Sequence, residues 1–226
     1  MIETHKKTNL PFDNEEYNSV VYEDVFFLND GKKVKVKDIG KKTAEISAFF
    51  FDYLKEYHIP ISFQGKDSEN SLRYHKNSEY QFRIKILNCA DKRNAKIFGL
   101  KDGHELEIPI LEFHYGNGKE SVICESHLLA FNLCTAEDLK IVTRICSKIN
   151  AVLKSFFERR NEILAEVVLI FGKLEDKIFL NGDFSPASIK IIHKDDSVKQ
   201  VNPYKFSTAG EIKKYTEHLY EIASVK

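Results

Sequence analysis

The sequence has no tryptophan, one methionine and five prolines, and it has no excess charge of either sign. Lysine plus arginine and aspartate plus glutamate both number 34, so no global field draws the chain to nucleic acid or to an acidic surface. No run approaches the roughly 18 apolar residues that span a bilayer. The polar residues 1–9 lack the apolar core of a signal peptide. We therefore expect a cytoplasmic protein without a membrane span.

The four cysteines are too irregularly spaced for a zinc site, and in a cytosolic chain they are most simply reduced thiols. A chain of 226 residues, 42% of them hydrophobic, buries roughly 70% of its unfolded surface, so its core needs no covalent staple. We therefore expect one unit of two lobes that is held together by packing alone.

In the first half of the chain, apolar residues recur at strand spacing in some segments and at helical spacing in another, and these spacings predict the elements. Residues 20–27 and 33–37, on either side of Asn29-Asp30-Gly31, predict a β-hairpin. Residues 44–57 repeat apolar side chains at helical spacing, and residues 80–87 alternate apolar with polar side chains. The latter segment predicts a half-buried strand whose second face is basic or solvated.

The second half contains a long amphipathic helix and a second hairpin. Thr135 is a candidate N-cap, and apolar side chains recur at helical spacing from there to Phe156. Residues 163–171 and 177–180 are apolar runs around a turn and predict a buried hairpin. Residues 211–225 predict a closing helix. The order of these elements predicts a mixed α+β protein.

Two local patterns have competing interpretations. Residues 32–42 contain six lysines, which would suit a phosphate-rich ligand or RNA but are more typical of the solvated face of a hairpin. No aromatic or motif support accompanies them, so we expect no nucleic-acid partner. Cys124 and His127 would suit a thiol nucleophile and its base, but no third member or oxyanion pattern accompanies them. A structural histidine is the favoured interpretation.

Ordered segments along nearly the whole chain carry a resemblance to a known family. They include Phe98-Gly99-Leu100, Pro109-Ile110-Leu111-Glu112-Phe113, Glu125-Ser126-His127-Leu128-Leu129-Ala130, Phe171-Gly172 and Ser185-Pro186. In this order they resemble SAICAR synthetase, the purine-pathway ligase that joins aspartate to a carboxylated aminoimidazole ribotide with ATP. So many ordered matches are unlikely to arise by chance.

The resemblance implies a fold and a set of ligands. The fold would be an α+β structure of two lobes, a small β-rich lobe over residues 1–80 and a larger α+β lobe over residues 81–226. A small-molecule substrate, ATP and magnesium would bind in the cleft between them, and a homo-oligomer is implied as well. Such chemistry requires lysines for the triphosphate, carboxylates for magnesium and cations for the anionic groups of the substrate.

The resemblance also implies site residues, position by position. Lys7 and Lys33 would bind the nucleotide. Glu166 and Asp183 would be the catalytic and metal-binding carboxylates. The candidates for substrate binding are Asn88, Arg93, Glu125, His127, Ser185 and Lys190.

Other positions depart from the family's pattern. The family's Asp-Phe-Lys-Leu-Glu-Phe-Gly segment corresponds to residues 166–172, where Val168 and Ile170 stand for its catalytic lysine and glutamate. Gly182 stands for its metal aspartate, and Leu87 for an arginine that contacts the substrate. Because an apolar wall holds neither magnesium nor an acyl phosphate, these changes predict a hydrophobic wall and altered chemistry.

These observations lead to three candidate functions. We rank them on the observation that packing positions match the family better than polar site positions do. The first is a ligase redirected to another small ligand, or to ATP-dependent amide formation other than the parent purine step. The second is a catalytically inactive relative that uses the fold for binding or assembly. SAICAR synthesis itself comes last.

Overall fold

The computed structural model describes residues 16–28, 31–116, 121–195 and 201–224. Within these ranges the chain forms a three-stranded sheet, a two-stranded hairpin, a six-stranded sheet and five helices. The α+β fold class is confirmed. The elements of the first part are β1 (Tyr17–Val21), β2 (Val25–Phe27), β3 (Lys33–Lys35), α1 (Ile39–Glu56), β4 (Phe63–Ser68) and β5 (Ser71–His75). The remaining elements are β6 (Ser78–Cys89), α2 (Lys92–Phe98), β7 (Glu105–Tyr115), β8 (Ser121–Ile123), α3 (Glu125–Ala130), α4 (Ala136–Glu158), β9 (Glu162–Leu174), β10 (Lys177–Asn181), β11 (Ile189–His193) and α5 (Ala209–Ser224).

The first predicted hairpin exists, but its first strand is shorter than the sequence pattern indicates. β2 pairs antiparallel with β3 through Phe26 and Val34, whereas Val20 belongs to β1 and pairs with β5. Tyr22, Glu23 and Asp24 separate β1 from β2. The apolar run over residues 20–27 therefore supplies strands to two different sheets, and a run alone does not reveal where the chain changes partner.

Helix α1 begins earlier than the prediction of residues 44–57, at Ile39. The Asp24 carboxylate accepts hydrogen bonds from the backbone N–H groups of Asp38 at 3.1 Å and Gly40 at 3.0 Å. These contacts satisfy N–H groups that the first turn of a helix leaves without intrahelical partners. A Cβ at Gly40 would lie 2.1 Å from the Tyr22 carbonyl oxygen, so the close approach at this end requires glycine.

The six-stranded sheet has the order β10-β9-β6-β7-β8, and β11 also pairs with β9, all antiparallel. Its inner face, which includes Ile84, Ile86 and Leu169, is almost completely buried. Helix α4 packs against β9. Thr135 is confirmed as the N-cap of α4, because its side chain accepts the Asp138 N–H at 3.0 Å.

An aromatic cluster joins the first part of the chain to the second. Phe50 of α1 lies 5.3 Å, between ring centres, from both Phe156 of α4 and Phe184. Phe51 lies 5.1 Å from Phe184 and 5.3 Å from Phe63 of β4. All five rings are almost fully buried. Because truncation of one such ring costs about 3–5 kcal/mol, this cluster is a principal source of stability between the two parts.

The passage from one part to the other is short. β5 of the three-stranded sheet ends at His75 and β6 of the six-stranded sheet begins at Ser78. The division into lobes of residues 1–80 and 81–226 stays a prediction. Among the described helices, none is both long and apolar enough to cross a membrane. The four cysteines are free thiols, and Cys89 and Cys146 are buried.

Candidate active site

The outer face of the six-stranded sheet collects charged side chains from four strands. Successive residues of a strand point to opposite faces, so burial of Ile84 and Ile86 inside directs Arg83 and Lys85 outward. In the strand register Lys85 lies opposite Glu112 of β7 and opposite Val168 of β9. Lys190 of β11 lies opposite Glu166. We call this surface the charged face, and its members are Arg83, Lys85, Glu112, His114, Glu166 and Lys190.

Lys85 occupies the centre of the charged face. Its Nζ lies 3.1 Å from Glu166 Oε2 and 3.4 Å from Asp91 Oδ2. Burial by itself would lower the pKa of Lys85, but Glu166 and Asp91 outweigh burial and raise that pKa above its ordinary value. The side chain is only 19% exposed, so this is a largely enclosed cation held by two carboxylates.

Asp91 is held in place by the short helix that follows it. It is the N-cap of α2, and its Oδ1 accepts the Asn94 N–H at 2.8 Å and the Asn94 side-chain amide at 3.0 Å. Partial burial would raise the pKa of Asp91, but the Asn94 N–H and Lys85 together lower it. The carboxylate is therefore stabilised in its charged form beside Lys85.

Glu112 is the centre of a second charged group. It is 6% exposed, forms an ion pair with Arg93, lies 3.1 Å from His114 Nε2 and accepts a hydrogen bond from the Asn94 amide at 3.2 Å. Burial would raise the pKa of Glu112, but His114, Asn94 and Arg93 lower it below its ordinary value. Arg93, a predicted substrate contact, thus lies on the rim of the charged face in contact with a buried carboxylate.

Lys190 lies at the β11 side of the charged face. Its Nζ donates a hydrogen bond to the Pro186 carbonyl at 2.7 Å and lies 5.3 Å from the centre of the Phe206 ring. Burial is the dominant influence and lowers the pKa of Lys190 to about 8, although Glu166 opposes the change. The charge of this ammonium is only partly balanced by nearby carboxylates, so an anionic group that reached it would bind strongly.

Ser185 and Asp183 shape the turn that precedes β11. The Ser185 N–H donates to the Ser188 hydroxyl at 2.8 Å, and that hydroxyl lies 2.9 Å from the Asp183 carbonyl oxygen. The Ser188 carbonyl accepts the Val168 N–H at 2.8 Å, which attaches the turn to β9. Ser185 is 3% exposed and its hydroxyl accepts the Ala187 N–H, so its hydrogen bonds support the turn.

The remaining predicted site residues lie elsewhere. Asn88 is fully buried, and its side-chain amide exchanges two hydrogen bonds of 2.8 Å with Asn150 of α4 on the inner side of the sheet. Its geometry is that of a structural pair, and its substrate role stays a prediction. Lys33 is exposed on β3 with its Nζ 4.0 Å from Glu23. Lys7 lies outside the described residues.

Glu125 and His127 lie in α3, directly after the edge strand β8, and both are exposed. The Cys124 sulfur lies 2.9 Å from the Ser126 hydroxyl and 3.0 Å from His127 Nδ1. The hydrogen bond with Ser126, followed by those with His127, lowers the pKa of the Cys124 thiol to about 7. The His127 ring therefore contacts the Cys124 thiol through Nδ1 and stacks on the ring of Phe131.

The predicted apolar wall is not what the strand register produces. Val168 and Ile170 are half-buried on the charged face, where Val168 lies opposite Lys85 and Ile170 lies opposite Arg83. The side chains beside Val168 and Ile170 are therefore cations, and they belong to β6 and not to β9. Sequence reasoning missed Lys85 because a lysine in an alternating strand is normally solvated, and the alternation over residues 80–87 was its only signal.

Magnesium, which the family resemblance implies, does not find a fitting set of ligands in this part of the chain. Among the described residues, no three His, Cys, Asp or Glu side chains are placed to hold one metal ion. The carboxylates of Glu166 and Glu112 already pair with Lys85 and Arg93. We derive no chemical step from a protein-held metal ion.

Comparison with known proteins gives a consistent result. Residues 6–223 match the family model described as SAICAR synthetase. A phosphoribosylaminoimidazole-succinocarboxamide synthase of Thermococcus sibiricus is 32% identical over 182 residues, which cover 80% of this chain and 78% of the relative. The family match over residues 6–223 includes every element that contributes to the charged face.

Solved structures agree with this match. The crystal structure (Type-1) of SAICAR synthetase from Pyrococcus horikoshii OT3 has a TM-score of 0.86 and 26% identity, and covers 98% of this chain and 99% of that one. A SAICAR synthetase (Type-2) in complex with ADP has a TM-score of 0.87 and 24% identity, with 97% of each chain covered. The two-lobed α+β arrangement is that of these proteins.

Proposed function

Because the chain belongs to the SAICAR synthetase family, we propose that it catalyses the reaction for which its relatives are named, phosphoribosylaminoimidazole-succinocarboxamide synthesis. The observation that carries the proposal is the family match over residues 6–223, which spans both parts of the fold. The charged face supports it, since a ligase of this class must bind several anionic groups at once. A cytoplasmic location and a homo-oligomeric state stay predictions.

The order of functions drawn from the sequence was wrong. It placed a redirected ligase first, an inactive relative second and the parent reaction last, yet the relatives named for the parent reaction match about four fifths of the chain. The physical reason for the error is that each polar position was compared by itself along the chain, without the side chains of the neighbouring strands. Cations on the neighbouring strand β6 lie beside the apolar positions 168 and 170.

The product name defines what the site must accomplish. An amide forms from a carboxylate and an amine only after the carboxylate is activated, and the ADP bound by one structural relative is what remains when ATP performs that activation. The amine then attacks the activated carbonyl, which releases phosphate and a proton. Negative charge is present on the nucleotide, on the ribotide phosphate and on the succinate moiety throughout this sequence.

The side chains of the charged face fit these demands. Lys190 is the cation with the weakest compensation, so it is the candidate contact for an anionic group of the substrate. Arg93, on the rim of the face, is the candidate for a second one, since guanidinium groups suit carboxylate and phosphate. Glu166 is a nearly buried carboxylate beside Lys85 and opposite Lys190, which makes it the candidate acceptor of the proton that the amine releases.

The test is turnover with all three substrates. The purified chain is incubated with ATP, aspartate and the carboxylated aminoimidazole ribotide, and both ADP and the amide product are quantified by mass spectrometry. We expect both products in equal amounts. We also expect Glu166→Gln to lower kcat by roughly 100-fold, as is typical of lost proton transfer. Lys190→Met should mainly raise the KM of an anionic substrate.

The control is Lys148→Met, which removes an exposed lysine of α4 on the opposite side of the sheet. It should leave both kinetic constants unchanged. Absence of ADP and amide in the wild-type protein, with all three substrates at millimolar concentration and the chain folded by circular dichroism, would refute the proposal.

A further inference from the structure

The carboxylates of the charged face and its rim already have cationic partners. Glu166 and Asp91 share the Lys85 ammonium at 3.1 and 3.4 Å, and Glu112 pairs with Arg93. Glu166 and Glu112 are nearly buried, with side chains 7% and 6% exposed. The protein therefore balances these enclosed negative charges with its own cations.

A divalent cation bridging Glu166 and Asp91 would have to occupy the space that Lys85 Nζ fills. Mg²⁺ and Mn²⁺ bind carboxylate oxygens directly, so such an ion needs those oxygens accessible and the ammonium displaced. Displacement is unfavourable because the ammonium lies 3.1 Å from Glu166 and 3.4 Å from Asp91 in an enclosed site, where removing one partner of an ion pair leaves an uncompensated charge. A second cation, Lys190, lies opposite the same Glu166 carboxylate in the strand register.

We infer that Lys85 is the resident cation of this site: its ammonium, fixed between Glu166 and Asp91, neutralises those carboxylates and excludes a protein-bound divalent metal ion from them. The inference goes beyond the proposed function, which it uses only to name the substrates. It makes Lys85 a positioning residue that orients Glu166. A metal ion carried by the phosphates of a nucleotide is not part of this claim.

The experiment measures binding of Mn²⁺ alone, so it is independent of turnover. Free Mn²⁺ is quantified by electron paramagnetic resonance during titration of the full chain at pH 7. We expect the wild-type protein to bind Mn²⁺ no more tightly than millimolar. Lys85→Ser removes the ammonium and opens the space between Glu166 and Asp91, and we expect it to gain at least tenfold in affinity.

Three variants separate charge from general disturbance. Lys85→Arg keeps the cation and should bind Mn²⁺ as weakly as wild type. The double variant Lys85→Ser with Glu166→Gln should lose the gain. Lys173→Ser is the matched control, because it breaks the 2.8 Å ion pair between Lys173 of β9 and Asp138 of α4, and it should show no gain. If Lys85→Ser does not fold, Lys85→Met, which keeps most of the apolar stem, takes its place.

Two results would overturn the inference. One is micromolar Mn²⁺ binding by the wild-type protein that Glu166→Gln abolishes, because the metal would then coexist with Lys85. The other is a folded Lys85→Ser or Lys85→Met variant whose Mn²⁺ affinity equals that of wild type. Neither result depends on whether the chain forms the amide, so failure here and failure of the proposed function remain distinguishable.

Discussion

Replacing Lys190 by methionine tests how the protein holds an enclosed ammonium on the charged face. Lys190 Nζ has the Pro186 carbonyl and the Phe206 ring as its neighbours, and burial lowers its pKa from the ordinary 10.5 to about 8. The unfolded chain returns this group to water and to its ordinary value. Between pH 8 and 10.5 the unfolded chain therefore holds a proton that the folded chain has released.

The sign and size of the effect follow from this difference. Stability rises with pH wherever the unfolded state binds more protons, so Lys190 makes the wild-type protein more stable as the pH rises through the window from 8 to 10.5. The full difference corresponds to about 3 kcal/mol, of which about 2 kcal/mol accrues between pH 7 and pH 10. Below pH 8 the unfavourable burial of the charge is fully present. Methionine at position 190 has no such proton to release.

The assay is thermal unfolding of the wild-type protein and Lys190→Met at pH 7 and pH 10. For a chain of this size, a gain of about 2 kcal/mol by the wild-type protein relative to the variant appears as roughly 4–8 °C in Tm. Other titrating groups are common to both proteins and cancel in the comparison. Lys148→Met, an exposed change, controls for the loss of a lysine. If wild type and Lys190→Met change in parallel between pH 7 and pH 10, the reasoning about Lys190 is refuted.

Two further predictions concern the thiol at α3 and the buried amide pair. Because the pKa of Cys124 is lowered to about 7, its alkylation by iodoacetamide should have a pH midpoint at about 7, and Ser126→Ala should move that midpoint upward; a midpoint near 9 in the wild-type protein would contradict this. Asn88→Ala and Asn150→Ala should each destabilise the protein by about 1–3 kcal/mol in urea unfolding, since each leaves a buried amide unsatisfied. The double variant should lose much less than the sum, whereas additive losses would mean that the two amides do not act as a pair.

The sequence predicts best those elements whose signals are local. Helix α4 has a cap at Thr135 and a long run at helical spacing, and it was predicted to within two residues at its C-terminal end. Helix α2 has seven residues and depends on the Asp91 cap, so its apolar period is too short to detect. β7 contains Pro109 within an acidic and apolar mixture, which obscures the alternation of a strand.

Some of the predicted site residues lie together in the structure and others do not, and one physical cause accounts for both; the roles of all of them stay predictions. Glu166, Arg93 and Lys190 lie on or beside the charged face, where the family resemblance alone could place them. Asn88 lies one residue away from Leu87 and therefore points to the other face of the sheet, toward Asn150. Of two adjacent strand residues, the one that does not pack into the core faces the site. Which residue packs into the core depends on contacts with elements that are distant in the sequence.

The electrostatics of this site belong to rows across the sheet and not to positions along one strand. One row joins Val168, Lys85 and Glu112, and directly opposed side chains in such a row have Cβ atoms about 5 Å apart. If β9 has no charged residue in a row, a charged residue of β6 in the same row therefore supplies the charge. It follows that exchanging the residues of one row, as in Lys85→Val with Val168→Lys, should preserve the charge near Glu166 far better than Lys85→Val alone. Thermal unfolding measures the outcome. If Lys85→Val and the exchanged variant lose comparable thermal stability, the strand that carries the lysine matters and the site does not depend on the row as a unit.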